Sequence, residues 1–307
     1  MNFKYIGQCF LIKPSVNPSK EELEFYEDLN FCNFIFFREH LEGESLRFYE
    51  KTGLKAVDQE GGRVCRIKGD FEAPLEIGKR YQETKDKKVV KDWATKIAKS
   101  LKERGLNFNL APCVDLGDES SPEFLRGRTF STDPDVVIEV AKEFLNSHQK
   151  EMIFTCLKHF PGLKSVKIDP HLELPLKEKP DKLSLLVFES LIRYGADFVM
   201  TTHLILKELD EEPITFSQRG IEFLRKGLGF KGIVVSDDLN MGALKRWELE
   251  ERLLKTIASG HNLLIYCGNW KEVLKSIFEI KSELENSKIL KKVLVESQEL
   301  IKRLKIF

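Results

Sequence analysis

The chain has 307 residues, with 49 Lys+Arg set against 49 Asp+Glu for a formal net charge of +0. This length suits one large α/β domain with a sizeable core, because barrels of this class run to about 250 residues as a single unit. The balanced charge removes the electrostatic case for a nucleic acid or an anionic membrane surface as partner and favours a neutral small molecule.

In chain order, short β-rich runs fall at 5–12, 31–37, 54–57, 107–114, 153–157, 197–201, 232–235 and 262–266, eight in all. Amphipathic stretches of helical spacing lie between them at 19–29, 89–104, 134–149, 182–194, 217–227, 248–259 and 272–285, several opening on a Ser, Asp or Pro start signal. Such alternation requires parallel strands joined by right-handed crossovers, and eight units close into a (β/α)8 TIM barrel that leaves no sheet edge exposed. No composition break or linker interrupts the pattern, so residues 1–307 are read as one domain, with 289–304 as a further helix packed on the barrel. The alternative, an open doubly wound sheet, lacks its Gly-x-Gly-x-x-Gly turn after the first strand.

Six cysteines (Cys9, Cys32, Cys65, Cys113, Cys156 and Cys267) are dispersed among apolar neighbours without a Cys-x-x-Cys pair, as expected of reduced core thiols. Residues 1–14 show no secretory signal core, and no run approaches the ~20 apolar residues of a membrane span. The expected location is the cytoplasm, and the expected assembly is a monomer.

Barrel enzymes build their sites where strands end, and here the strand ends carry polar side chains. Val57 is followed by Asp58, Gln59 and Glu60; Val114 by Asp115; Leu157 by Lys158 and His159; Thr201 by Thr202 and His203; Val235 by Ser236, Asp237 and Asp238. A lone strand-end Asp or His usually caps the next helix; five such ends together point to a site. Gly61 and Gly62, between Asp58 and the arginines Arg63 and Arg66, allow the backbone to turn tightly beside a ligand, so that Asp58 and Arg66 can bind hydroxyls. A long segment after Lys158-His159-Phe160-Pro161-Gly162 leads to Asp169-Pro170-His171, where the carboxylate can hold one ring nitrogen and leave the other to move a proton. Of the pair Asp237-Asp238, one acid can attack carbon while its neighbour orients or caps.

These segments resemble glycoside hydrolase family 3, specifically its single-domain bacterial β-N-acetylglucosaminidases. Asp58 to Arg66 is similar to the family's Asp-Gln-Glu-Gly-Gly-Arg-Val-x-Arg, Lys158 to Gly162 to its Lys-His-Phe-Pro-Gly, and Ser236 to Ala243 to its Ser-Asp-Asp-Leu-x-Met-Gly-Ala. Gly127-Arg128-Thr129-Phe130 is similar to a shorter Arg-Ser-Phe segment. The resemblance implies a retaining mechanism with Asp237 as nucleophile and His171, assisted by Asp169, as acid/base. It implies that Asp58, Arg66, Arg128, Lys158 and His159 hold the sugar hydroxyls and the acetamido group. The implied task is release of terminal β-linked N-acetylglucosamine from peptidoglycan fragments during recycling, without metal or cofactor. The chain departs from the family pattern at Leu163 and Lys164, where His-Gly is usual, at Pro170 in place of Ser, and at Asn262 in place of Asp. Leu163 is expected to remove a polar loop contact, and Pro170 to restrict the backbone of Asp169.

Three other readings compete: a family 3 enzyme acting on another sugar or on phosphate as acceptor, a sugar-binding relative of weakened activity, and a Schiff-base aldolase using Lys158. No His-x-His or His-Glu-x-x-His spacing marks a metal site. His40, His148 and His261 are read as structural or solvated, and the Phe-rich run 31–37 as a barrel strand packed on helices rather than an aromatic sugar platform.

Overall fold

A computed structural model describes residues 3–49 and 53–304. Eight strands, β1 (Phe10–Ile12), β2 (Phe34–Ile35), β3 (Lys55–Val57), β4 (Phe108–Asn109), β5 (Phe154–Phe160), β6 (Phe198–Thr201), β7 (Ile233–Val235) and β8 (Leu264–Tyr266), form a sheet in the order β7-β6-β5-β4-β3-β2-β1-β8. Every neighbouring pair is parallel. A parallel bridge from Val235 to Leu263, with Ser236 N donating to Leu263 O at 3.0 Å, joins the two ends and closes the barrel.

Period-two alternation decides which residues fill the barrel and which face the helices. Leu11, Ile35, Ala56, Cys156, Phe198, Met200, Ile233, Val235 and Ile265 pack in one cluster inside it. Their neighbours Phe10, Ile12, Phe34, Val57, Leu157, Val199, Val234 and Leu264 join the core beneath the helices. Both faces of each strand are thus buried, which is why the strands read as continuous apolar runs. Inside, the Phe108 and Phe198 rings lie 4.4 Å apart.

Helix starts follow local chemistry. Ser19 caps α1 (Lys20–Asp28) by accepting from Glu22 N, and Pro74 opens α2 (Pro74–Thr84). α3 (Lys87–Lys102) and α4 (Pro134–Lys150) begin on Asp86 and Asp133. α5 (Lys182–Tyr194) starts on an Asp181 cap and stops at Gly195, whose φ of 115° a side chain would resist. α6 (Gln218–Glu222) continues as a π-turn over Phe223–Gly227, and α7 (Leu249–Ser259), α8 (Trp270–Glu279) and α9 (Lys288–Arg303) complete the outer ring.

Four sequence expectations are corrected. Of the expected strand 5–12, only β1 is extended; Phe3–Cys9 is a 3-10 helix, held as Gly7 N donates to Leu29 O and lies too close to Leu29 and Phe31 for a side chain. β5 runs on to Phe160, so Lys158 and His159 stand on the strand itself. The stretch 272–285 is broken into α8 and a separate turn of helix at Lys281–Asn286. α2 was not anticipated, although Pro74 is a helix-start signal.

Candidate active site

At the C-terminal ends of the strands lies a cavity of about 470 Å³. Its floor is a layer contributed by the even strands: Ile35 of β2, Leu110 just past β4, Met200 of β6 and Ile265 of β8. Every residue given a catalytic or sugar-binding role from the sequence lines it: Asp58, Arg66, Arg128, Lys158, His159, Asp169, His171 and Asp237. A wider recess of about 670 Å³, bordered by Arg225, Lys292 and Glu296 between α6 and α9, contains none of them.

One wall is a buried ionic network. Lys158 Nζ reaches Asp58 Oδ1 at 2.8 Å and Glu60 Oε1 at 2.6 Å, while Arg128 binds Glu60 through two nitrogens, at 2.9 and 2.8 Å. Burial works to raise the Glu60 pKa, but Arg128 and Lys158 outweigh it and hold the carboxyl well below its usual range. Burial works to lower Lys158, and Asp58 and Glu60 reverse it, so the ammonium is held charged. A Schiff-base lysine needs the opposite, which counts against the aldolase reading. Arg66 is less engaged: its guanidinium stands 3.9 Å from Asp58 Oδ2, and its Nε is buried without a partner among the described residues.

His159 donates from Nδ1 to Asp115 Oδ2 at 2.7 Å, and Arg128 approaches its Nε2 at 3.4 Å. Asp115 also accepts from Leu163 N at 2.7 Å; burial works to raise its pKa, and His159 and these donors together keep it lowered. The polar contact of Leu163 is thus made by its backbone alone, as its side chain offers none. The residue is 2% exposed and packs with Cys113, Phe124, Val166 and Leu204. Cys113, Asp115 and His159 are the one group of metal-ligand type among the described residues, with donor atoms within 4.8 Å of one another. They do not suit an ion: the carboxylate oxygens already accept these hydrogen bonds, and burial pushes the Cys113 thiol well above its ordinary value, away from the thiolate a metal requires.

Asp237 follows β7 and is partly exposed to the cavity. Its Oδ1 accepts from Asp238 N at 2.8 Å, leaving Oδ2 without a hydrogen-bond partner among the described residues. Burial works to raise its pKa; His203, His159, the Asp238 amide and His171 outweigh burial and keep the group ionised. Asp238 is the orienting member of the pair, since its Oδ1 accepts from Asn240 N at 3.0 Å and Cys267 N at 2.9 Å and so ties the loop to the end of β8. His203, buried after β6, donates from Nε2 to Asp238 O at 2.9 Å.

On the segment after β5, His171 Nδ1 donates to Asp169 Oδ1 at 2.7 Å, and the imidazole is exposed, with Nε2 unpartnered among the described residues. Pro170 is buried, and its carbonyl accepts from Ala243 N at 3.3 Å, so the restricted backbone is held against the Asp237 loop. Phe37, assigned to a packed strand, in fact stands past β2 in the cavity wall. Glu60 was passed over within its motif; its position two residues from Asp58, before paired glycines, was the available signal. His40, His148 and His261 are all buried, which selects the structural reading.

Residues 49–304 match the glycosyl hydrolase family 3 N terminal domain. A β-hexosaminidase of Tolumonas auensis is 37% identical over 231 residues, covering 71% of this chain and 67% of the relative. One from Photobacterium profundum is 31% identical over 299 residues, 92% of this chain and 89% of the relative. Among solved structures, a glycoside hydrolase family 3 β-N-acetylglucosaminidase from a Paenibacillus species superposes on 100% of this chain with a TM-score of 0.85 at 22% identity, and this chain spans 63% of that longer one. With the closed barrel and three ordered motifs converging on one cavity, the match over most of the chain establishes that the protein belongs to glycosyl hydrolase family 3.

Proposed function

We propose that the protein is a β-N-acetylhexosaminidase, a retaining hydrolase that releases terminal β-linked N-acetylglucosamine from peptidoglycan fragments. One observation carries this reading: an ionised Asp237 and an imidazole with a free nitrogen line the same cavity. In the first step Asp237 Oδ2 bonds to the anomeric carbon as the glycosidic C–O bond breaks, and His171, as imidazolium, passes its Nε2 proton to the departing oxygen. In the second step His171 takes a proton from water, whose oxygen bonds to the same carbon and displaces Asp237 as carboxylate. Asp169 holds Nδ1–H throughout, so Nε2 is always the nitrogen that exchanges the proton.

Asp58, Arg66, Arg128, Lys158 and His159 are assigned to the sugar hydroxyls and the acetamido group, with Arg66, whose side chain is partly exposed and stands 3.9 Å from Asp58, as the least engaged of the cations. Their positions are set before substrate arrives, so little reorganisation is needed as charge develops. On this reading the chain acts as a monomer without metal or cofactor. The six free cysteines suit a cytoplasmic setting, and among the described residues no helix is long and apolar enough to cross a membrane.

The test is mass spectrometry after exposure to a fluorinated N-acetylglucosaminyl fluoride. The label is expected on the peptide containing Asp237 and absent in Asp237→Ala, and His171→Ala should lower turnover of an unactivated glycoside by ~10²–10⁴-fold. Full wild-type turnover in Asp237→Ala refutes the proposal.

A further inference from the structure

The segment that carries Asp169 and His171 is held in place by very little of the protein. From Lys167 to Leu174, the only hydrogen bonds that leave the segment, among the described residues, run to the loop after Asp237: Gly242 N donates to His171 O at 2.9 Å and Ala243 N to Pro170 O at 3.3 Å. The remaining bonds are local, from His171 N, His171 Nδ1, Leu172 N and Glu173 N back to Asp169. Leu172, beside the imidazole, is 73% exposed.

Gly242 is the point of closest approach. A Cβ there would lie 2.5 Å from His171 O, 2.5 Å from Leu172 O and 2.9 Å from Leu172 C, all of them backbone atoms. The glycine is not required for its own conformation: it opens the 3-10 turn Gly242–Leu244 and is not among the residues of positive φ. Its missing side chain leaves room for the other loop and for nothing else.

We infer that Gly242 is a positioning residue for His171, its bare Cα forming the seat on which the acid/base segment docks, so that the loop bearing the nucleophile also sets where the proton donor stands. This rests on the glycosidase reading for its catalytic consequence, but not for the docking itself. An alanine at this position would oblige the His171 and Leu172 carbonyls to retreat by about 0.9 Å to reach ordinary contact at 3.4 Å, while Asp237, held by Asp238 N, would not have to move.

The test uses full-length Gly242→Ala and compares kcat/KM on two β-N-acetylglucosaminides, one with an alkyl leaving group that needs protonation and one with a dinitrophenyl group that departs without it. A misplacement of this size should reduce kcat/KM by roughly 100-fold on the alkyl glycoside and by less than about threefold on the dinitrophenyl one. Trypsin should cut the variant faster after the exposed Lys167. A general loss of folding would lower both substrates alike, and equal falls, or no fall on either, overturn the proposal. Wild-type protein that hydrolyses neither glycoside would count against the glycosidase reading alone; the docking is then judged on cleavage after Lys167, and an unchanged rate overturns it.

Discussion

Replacing Glu60 with Gln keeps the shape of the side chain and removes the charge on which two buried cations depend. The Glu60 side chain is 1% exposed, Lys158 is 2% exposed and Arg128 is 9% exposed. Lys158 would keep the Asp58 carboxylate at 2.8 Å, but Arg128 would lose its anionic partner, keeping at most one bond to the amide oxygen besides Phe124 O at 2.8 Å and the long approach to His159. A guanidinium cannot shed its proton to escape, so Arg128 becomes the uncompensated charge. Removing one partner of a buried pair costs about 3–5 kcal/mol. For a chain of this length that corresponds to a fall in Tm of about 5–8 °C, read by differential scanning calorimetry. The carboxyl is pushed below its usual range, so its stabilisation is complete above the unfolded value of about 4.3 and is lost only as pH falls through the lower folded value. The gap between wild type and variant should therefore stay constant from about pH 5 to 8. Adding Arg128→Met should recover most of the loss, because it removes the orphan charge. A Glu60→Gln protein melting within about 2 °C of wild type would refute the reasoning.

Two further outcomes are expected. His148 and His261 are both pushed down to about 3, chiefly by burial, and each ring nitrogen of either one already has a partner. The unfolded chain takes up these protons near ~6.5 while the folded one does not, so stability falls as pH drops below that value, by about 2 kcal/mol for each histidine at pH 5. Melting temperatures that stay flat from pH 7 to pH 5 would contradict this. Asp238→Ala removes the acceptor for Asn240 N and Cys267 N and frees the loop behind Asp237, so kcat/KM should fall by about 10²-fold with the fold retained by circular dichroism. Undiminished activity would show that Asp238 has no orienting role.

Much of the architecture was legible because it follows from local rules. Alternating strand and helix patterns and caps such as Ser19 and Asp181 depend on neighbours within a few residues, and most barrel strands carry apolar residues on both faces. Strand-end polar residues such as Asp58 and Asp237 were legible because a parallel barrel brings all strand C-termini to one rim. Glu60 and the fate of Leu163 were not, because their partners lie far away in the chain: Arg128 and Lys158 for one, and Asp115, Cys113 and Leu204 for the other.

From the order of its residues alone, the chain determined a closed parallel barrel and the list of side chains offered at one end, since period, capping and motif spacing are short-range properties. Which of those side chains are ion-paired, which donor is left over, and how the His171 segment comes to rest on Gly242 were decided only on folding. Those features depend on desolvation and on distances between segments far apart in the sequence, and both exist only once the barrel has closed.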